Sequence, residues 1–144
     1  MHLKNPVSQI CMMMAVLGLM LVWSGCATAP PPANVKAVHC DTAKITWEVA
    51  PEAELTELAC SMGKQGTDPA LIFTASLKNI SDRPLRFKML VFLLDMDKAN
   101  GHLVPRTGKP PVVAPGASET VKIPFIKTTT MPGKMLVRVT TMSE

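Results

Sequence analysis

From Leu71 the chain alternates in its polarity: Leu71, Phe73, Ala75 and Leu77 point one way, and Thr74, Ser76 and Lys78 the other. A period of two marks a half-buried strand. Asn79-Ile80-Ser81-Asp82-Arg83-Pro84 then supplies turn residues, since Asn and Asp bond to their own backbone and Pro84 blocks a helix. Leu85, Phe87, Met89, Val91 and Leu93 share the next face, with Arg86 and Lys88 opposite; from Leu90 to Leu94 both faces are apolar, which predicts a central strand covered on two sides. Asp95, Asp97, Asn100 and Gly101 read as a turn, with Gly101 free to take a positive φ. An extended stretch from His102 to Arg106 follows. Val112-Val113, a turn at Ala114-Pro115-Gly116-Ala117-Ser118, and Val121, Ile123 and Phe125 read as strand, turn, strand, with Pro124 predicting an edge or bulge. Met135, Val137 and Val139 close the series.

Upstream, Ile45, Trp47 and Val49 alternate like a strand and make Trp47 a core or rim anchor. Leu55, Leu58, Ala59 and Met62 fall at i, i+3, i+4 and i+7, with Pro51 at the first turn, Glu52 and Glu54 at the positive end and Gly63 as terminator. That spacing predicts a short amphipathic helix over 52–62, followed by a loop from Gly63 to Pro69. Short strands between Pro, Gly and Asn turns, without βαβ alternation, indicate a mainly β protein: an antiparallel, immunoglobulin-like sandwich with one short N-terminal helix.

The front of the chain follows a different pattern. No charge interrupts the run from Ile10 to Trp23, and Lys4 precedes it. The run matches the ~7–15 residues of a signal-peptide core and is shorter than the ~20 of a membrane span. Its end, Val22-Trp23-Ser24-Gly25-Cys26, resembles a bacterial lipobox, in which small residues precede a cysteine that takes the lipid. On that reading Cys26 is the lipidation site, and acyl chains at ~0.8 kcal/mol per buried methylene hold the protein on the bilayer. An ordinary secretory cleavage near Ala27 or Ala29 is the alternative. Ala27 after the cysteine favours the outer membrane, facing the periplasm. Thr28 to Asn34, with Pro30-Pro31-Pro32, reads as a semi-rigid spacer. The expected organisation is a signal peptide over 1–25, a Pro-rich tether over 26–36 and the sandwich over 37–144.

This division explains the composition, 47% hydrophobic yet only 4% aromatic and without tyrosine. Taking Lys4 from the 15 basic residues leaves 14 against 11 acidic, about +3, too mild and dispersed for a nucleic-acid footprint. With Cys11 and Cys26 in the leader region, Cys40 and Cys60 remain, and an even pair in an oxidising compartment predicts a disulfide. His39 beside Cys40 has neither a C-x-x-C-H context nor a neighbouring second ligand, so no metal or cofactor is expected. The six methionines from Met62 onward are scattered and read as core filling. Asp95 and Asp97 form the one close carboxylate pair, but no calcium loop surrounds them. No nucleophile stands in a recognisable catalytic context, and the expectation is a non-enzyme.

Leu77-Lys78-Asn79, Arg83-Pro84-Leu85, the apolar strand to Leu94-Asp95, Gly101 with Pro105, the turn Ala114 to Ser118 and the closing Gly133-Lys134-Met135-Leu136-Val137-Arg138 together resemble the YcfL-like family of small bacterial lipoproteins, and more loosely FxLYD-type extracytoplasmic domains. The resemblance implies a small β-sandwich on a lipid anchor. Two roles are then expected: a binding or assembly module for an envelope protein complex, using a strand edge or the apolar residues Phe92 and Leu94, or a carrier of a small apolar ligand or lipid between its sheets.

Overall fold

A computed structural model describes Pro32 and residues 35–142. The signal peptide, Cys26 and nearly all of the tether lie outside the described residues. Eight strands follow one another: β1 (Lys36–Val38), β2 (Ile45–Val49), β3 (Ala53–Gln65), β4 (Asp68–Asn79), β5 (Phe87–Leu93), β6 (Lys98–Val104), β7 (Ser118–Ile126) and β8 (Met135–Thr141), with one 3-10 turn at Thr42–Lys44. Val35 packs on the core just before β1 begins at Lys36.

The strands form two four-stranded sheets, β1-β3-β4-β7 (sheet A) and β2-β8-β5-β6 (sheet B). Both are mixed, which corrects the all-antiparallel expectation: β1 runs parallel to β3, and β2 parallel to β8. Both parallel partners are short edge strands from the start of the domain, whose direction no hydrophobic pattern encodes.

The expected helix over 52–62 is absent: Glu52 lies in the turn before β3, and residues 53–62 belong to strand β3. The register shifts between Leu55 and Glu57 against β4, so a bulge inserts one residue. Ala53 and Leu55 therefore share the inner face with Leu58 and Cys60. Across a bulge the inward spacing goes from two to three, which imitates a helical i, i+3 step. Met62, which completed the apparent helical stripe, is 49% exposed. The expected Gly63–Pro69 loop is also strand: β3 and β4 stay paired out to Gln65 and Asp68, and only Gly66, at φ +64°, and Thr67 make the turn. Gly101 lies inside β6 instead of in a turn, and a Cβ there would come within 2.3 Å of the Met89 carbonyl oxygen. Its need for glycine is close approach between strands, not a positive φ.

The inner faces bury one contiguous cluster, with Phe73, Leu77, Phe87, Met89, Val91, Ile123 and Val137 at 0% exposure. Phe73 meets Phe125 edge to face with centroids 5.5 Å apart. Met89 and Met135 fill this core, whereas Met131 and Met142 are exposed. Trp47 is buried as expected, its indole Nε1 without a hydrogen-bond partner.

Asn79 is buried at 0% exposure and organises one end of the sandwich. Its Nδ2 donates to the carbonyls of Arg83 (2.8 Å) and Val113 (2.9 Å), while its Oδ1 accepts from Ser81 N (3.0 Å) and Ser81 Oγ (2.7 Å). Its backbone bonds to Ala117 O and Gly116 N. The β4–β5 turn and the long β6–β7 connection are thereby joined. The β2–β3 turn joins them through the bond from Ile80 N to Glu52 O (2.9 Å). We call this the Arg83 end; the β3–β4 hairpin tip lies at the other.

Candidate functional site

Two surfaces stand out. The first is the outer face of sheet B. Register places Thr46, Leu136, Phe92 and Ala99 in one row across the four strands and Glu48, Arg138, Leu90 and Gly101 in the next. Leu90, Phe92, Leu136 and Leu103 are half-buried there, and Leu94 beside them is 54% exposed. The strand that looked covered on both faces is thus covered by the core on one face only. Arg138 lies over the Phe92 ring at 5.6 Å and pairs with Glu48. That partnership holds Glu48 below the usual carboxylate range and raises Arg138. The result is an apolar strip with one ion pair along its β2 side. Leu90 lies against Gly101, which any larger residue would push away.

The second surface is a cleft of about 530 Å3 at the Arg83 end, lined by Glu52, Arg83, Pro84, Leu85, Arg86, Thr141 and Met142. Three elements converge on it: the β2–β3 turn, the β4–β5 turn and the end of β8. Glu52 Oε2 accepts a hydrogen bond from Thr141 Oγ1 at 3.1 Å. Arg86 Nε is buried and has no hydrogen-bond partner. Both arginines sit on fixed backbone, since Arg83 O is held by Asn79 and Arg86 O accepts from Met142 N at 2.8 Å. Sequence patterning missed this site because its residues come from two turns and a strand end, none with a motif of its own.

Of the expected site residues, Cys40 and Cys60 form a disulfide with their Cα atoms 5.2 Å apart. Cys26 lies outside the described residues. His39, exposed at φ +58°, and His102, half-buried in β6, belong to separate elements. Asp95 and Asp97 occupy the β5–β6 turn; Asp95 Oδ2 accepts from Gly133 N at 2.6 Å, and this bond holds its carboxyl below the usual range. The expected free edge at Val121 to Phe125 is the edge of sheet A, but Asn100 Nδ2 donates to Pro124 O at 2.6 Å and covers part of it. A barer edge lies on β3, where β1 pairs only Glu57 to Ala59 and Ser61 to Gln65 have no neighbour on that side among the described residues.

Burial, and secondarily the charge of Arg106, hold the His102 imidazole below its ordinary range. The unfolded chain therefore binds a proton at higher pH than the folded one. His102 contributes full stability above its unfolded value of about 6.5, and loses it as the pH falls through the lower folded value. Urea midpoints should drop more between about pH 7.5 and 5 for the wild type than for His102→Gln, with equal drops excluding the effect.

Comparison with family models, with curated proteins and with solved structures gives no match.

Proposed function

We propose that this chain is a non-enzymatic bacterial lipoprotein, anchored through acylated Cys26 and facing the periplasm, whose sandwich docks an envelope protein on the outer face of sheet B. The observation that carries the reading is the apolar strip of Leu90, Phe92, Leu103 and Leu136, left half-exposed across the central strands β5 and β8 and the edge strand β6. An aromatic and aliphatic patch with a polar border has the composition of a protein contact site. Carriage of an apolar ligand between the sheets has less support, because the inner side chains pack into one cluster at near-zero exposure. The YcfL-like resemblance belongs to the same proposal. So does the immunoglobulin-like assignment, which two facing four-stranded sheets support, although β3 and β4 form a hairpin within one sheet.

The test is crosslinking in cells through a photoreactive residue at position 136. A heterologous adduct should form with the wild type and fall at least tenfold with Phe92→Glu, whose purified melting temperature checks the fold; losing a buried aromatic contact at such a patch costs about 1–2 kcal/mol or more. Cys26→Ala should remove the adduct by removing the protein from the membrane. Adducts only between copies of the chain, or a heterologous adduct indifferent to Phe92→Glu, would overturn the docking assignment.

A further inference from the structure

The cleft at the Arg83 end takes no part in the docking face. We infer that it binds the phosphodiester headgroup of a membrane lipid, with Arg83 and Arg86 taking the phosphate, Glu52 the ammonium of an ethanolamine-type headgroup, and Pro84, Leu85 and Met142 lying beside its apolar part. The first support is chemical incompleteness. Arg86 Nε is a buried donor without an acceptor, and neither Arg83 nor Arg86 forms an ion pair among the described residues. A buried donor left unpaired costs free energy, which a turn of the guanidinium toward an acceptor in the cleft recovers. Guanidinium groups suit phosphate because their planar donors bond two oxygens at once.

The second support is the mixed charge. Two guanidiniums and one carboxylate line the same cleft. A simple anion would be attracted by the arginines and repelled by Glu52, whereas a zwitterion carrying phosphate and ammonium satisfies both. Thr141 already donates to Glu52, which fixes the carboxylate. Asn79 and Met142 fix the backbones of the two arginines, so little ordering is lost on binding.

The third support is placement, and it rests on the anchored reading proposed above. β1 runs parallel to β3, with Lys36 opposite Glu57 and Val38 opposite Ala59. Followed backwards, β1 therefore points toward Ala53, the end of β3 adjoining Glu52 and the cleft. Five residues separate Pro32 from Cys26 in the chain. An anchor so few residues upstream keeps the Arg83 end on the membrane side of the domain, within reach of the headgroup layer. A soluble phosphate ester carries the same recognition chemistry, and the experiment separates the two sources.

The acylated full-length protein, purified in a phosphate-free neutral detergent, is titrated with glycerophosphoethanolamine, glycerophosphoglycerol, inorganic phosphate and a short-chain phosphatidylethanolamine while its melting temperature is followed. A saturable rise is expected with both ethanolamine compounds, tighter with the lipid. Arg83→Gln, at an exposed position, should weaken it about tenfold, the loss of one charge-assisted bond. Adding Arg86→Gln should abolish it. Glu52→Gln should remove the preference for ethanolamine over glycerol. Equal affinity for inorganic phosphate and the lipid overturns the lipid assignment, and a rise unchanged in Arg83→Gln overturns the site. Mass measurement at Cys26 separates the two readings. An unacylated chain overturns the anchored reading and with it the lipid source; an acylated chain whose melting no phosphate ester shifts overturns the cleft inference alone.

Discussion

Asn79→Leu is expected to destabilise the domain by about 3–4 kcal/mol, although leucine has nearly the same volume. The substitution keeps the packing and removes four hydrogen bonds at once. The carbonyls of Arg83 and Val113 lose their donor, and Ser81 N and Oγ lose their acceptor. Asn79 has 0% exposure, so at least the contact to Val113, itself 2% exposed, is shut off from replacement by water. Each bond is worth roughly 1 kcal/mol net, and a buried group left unsatisfied adds about 1–3 kcal/mol more. Ser81→Ala removes only the hydroxyl, whose single proton goes to Asn79 Oδ1 or to Arg83 O. Its expected cost is about 1 kcal/mol, because Arg83 lies in an exposed turn where water can substitute. Urea unfolding followed by tryptophan fluorescence reads both, since Trp47 is buried in the adjoining core. A loss below about 1 kcal/mol for Asn79→Leu would mean that the turn is held by its backbone alone. Since Asn79 also fixes the Arg83 carbonyl, the same variant should weaken headgroup binding at the cleft even below its melting temperature.

What the sequence disclosed, and what it withheld, divides along locality. The alternation of Leu71, Phe73, Ala75 and Leu77 reads directly as β4, and Phe87, Met89, Val91 and Leu93 as β5, because a strand's period of two is written residue by residue. Pro124 announced an edge, and β7 is one. The bulge beside Thr56 broke that period, and one inserted residue put Leu55 and Leu58 at the i, i+3 step that, with Ala59 and Met62, reads as a helix face. Val112-Val113 looked like a strand and is only an isolated bridge from Val113 to Leu85, since the β6–β7 connection has no neighbouring strand to continue it. Parallel pairing of β1 and β2 joins segments far apart in the chain and leaves no local mark. Asn79 was legible as a turn residue and not as a buried one: its partners Arg83 and Val113 stand 4 and 34 residues away. The cleft was illegible for the same reason, being assembled from two separate turns and the end of β8.

The Cys40–Cys60 bridge was legible from the pairing of two cysteines in a chain expected to be exported, and its removal should have the second large effect. The bridge spans a separation of 20 residues, for which the chain-entropy estimate is about 3 kcal/mol. The structure adds a local consequence. β1 has three residues, pairs only with Glu57–Ala59, and is followed immediately by His39 at a positive φ and the bridged Cys40. So short an edge strand has little cohesion of its own, and the covalent link at Cys60 replaces the pairing it lacks. Without the link, β1 should detach, and the bare edge of β3 should extend from Ser61–Gln65 to the whole run from Glu57. An open edge of that length is a template for pairing with another chain. The Cys40→Ala/Cys60→Ala double variant is therefore expected to lose about 3 kcal/mol in urea unfolding and to self-associate at concentrations where the wild type stays monomeric. Hydrogen exchange separates the two effects, because detachment of β1 raises exchange at Lys36–Val38 and Glu57–Ala59 under conditions where β4 and β5 remain protected. Unchanged protection at Glu57–Ala59 in the double variant would show that β1 holds its place by pairing and by the packing of Val35 alone, and would confine the bridge to its effect on the unfolded chain.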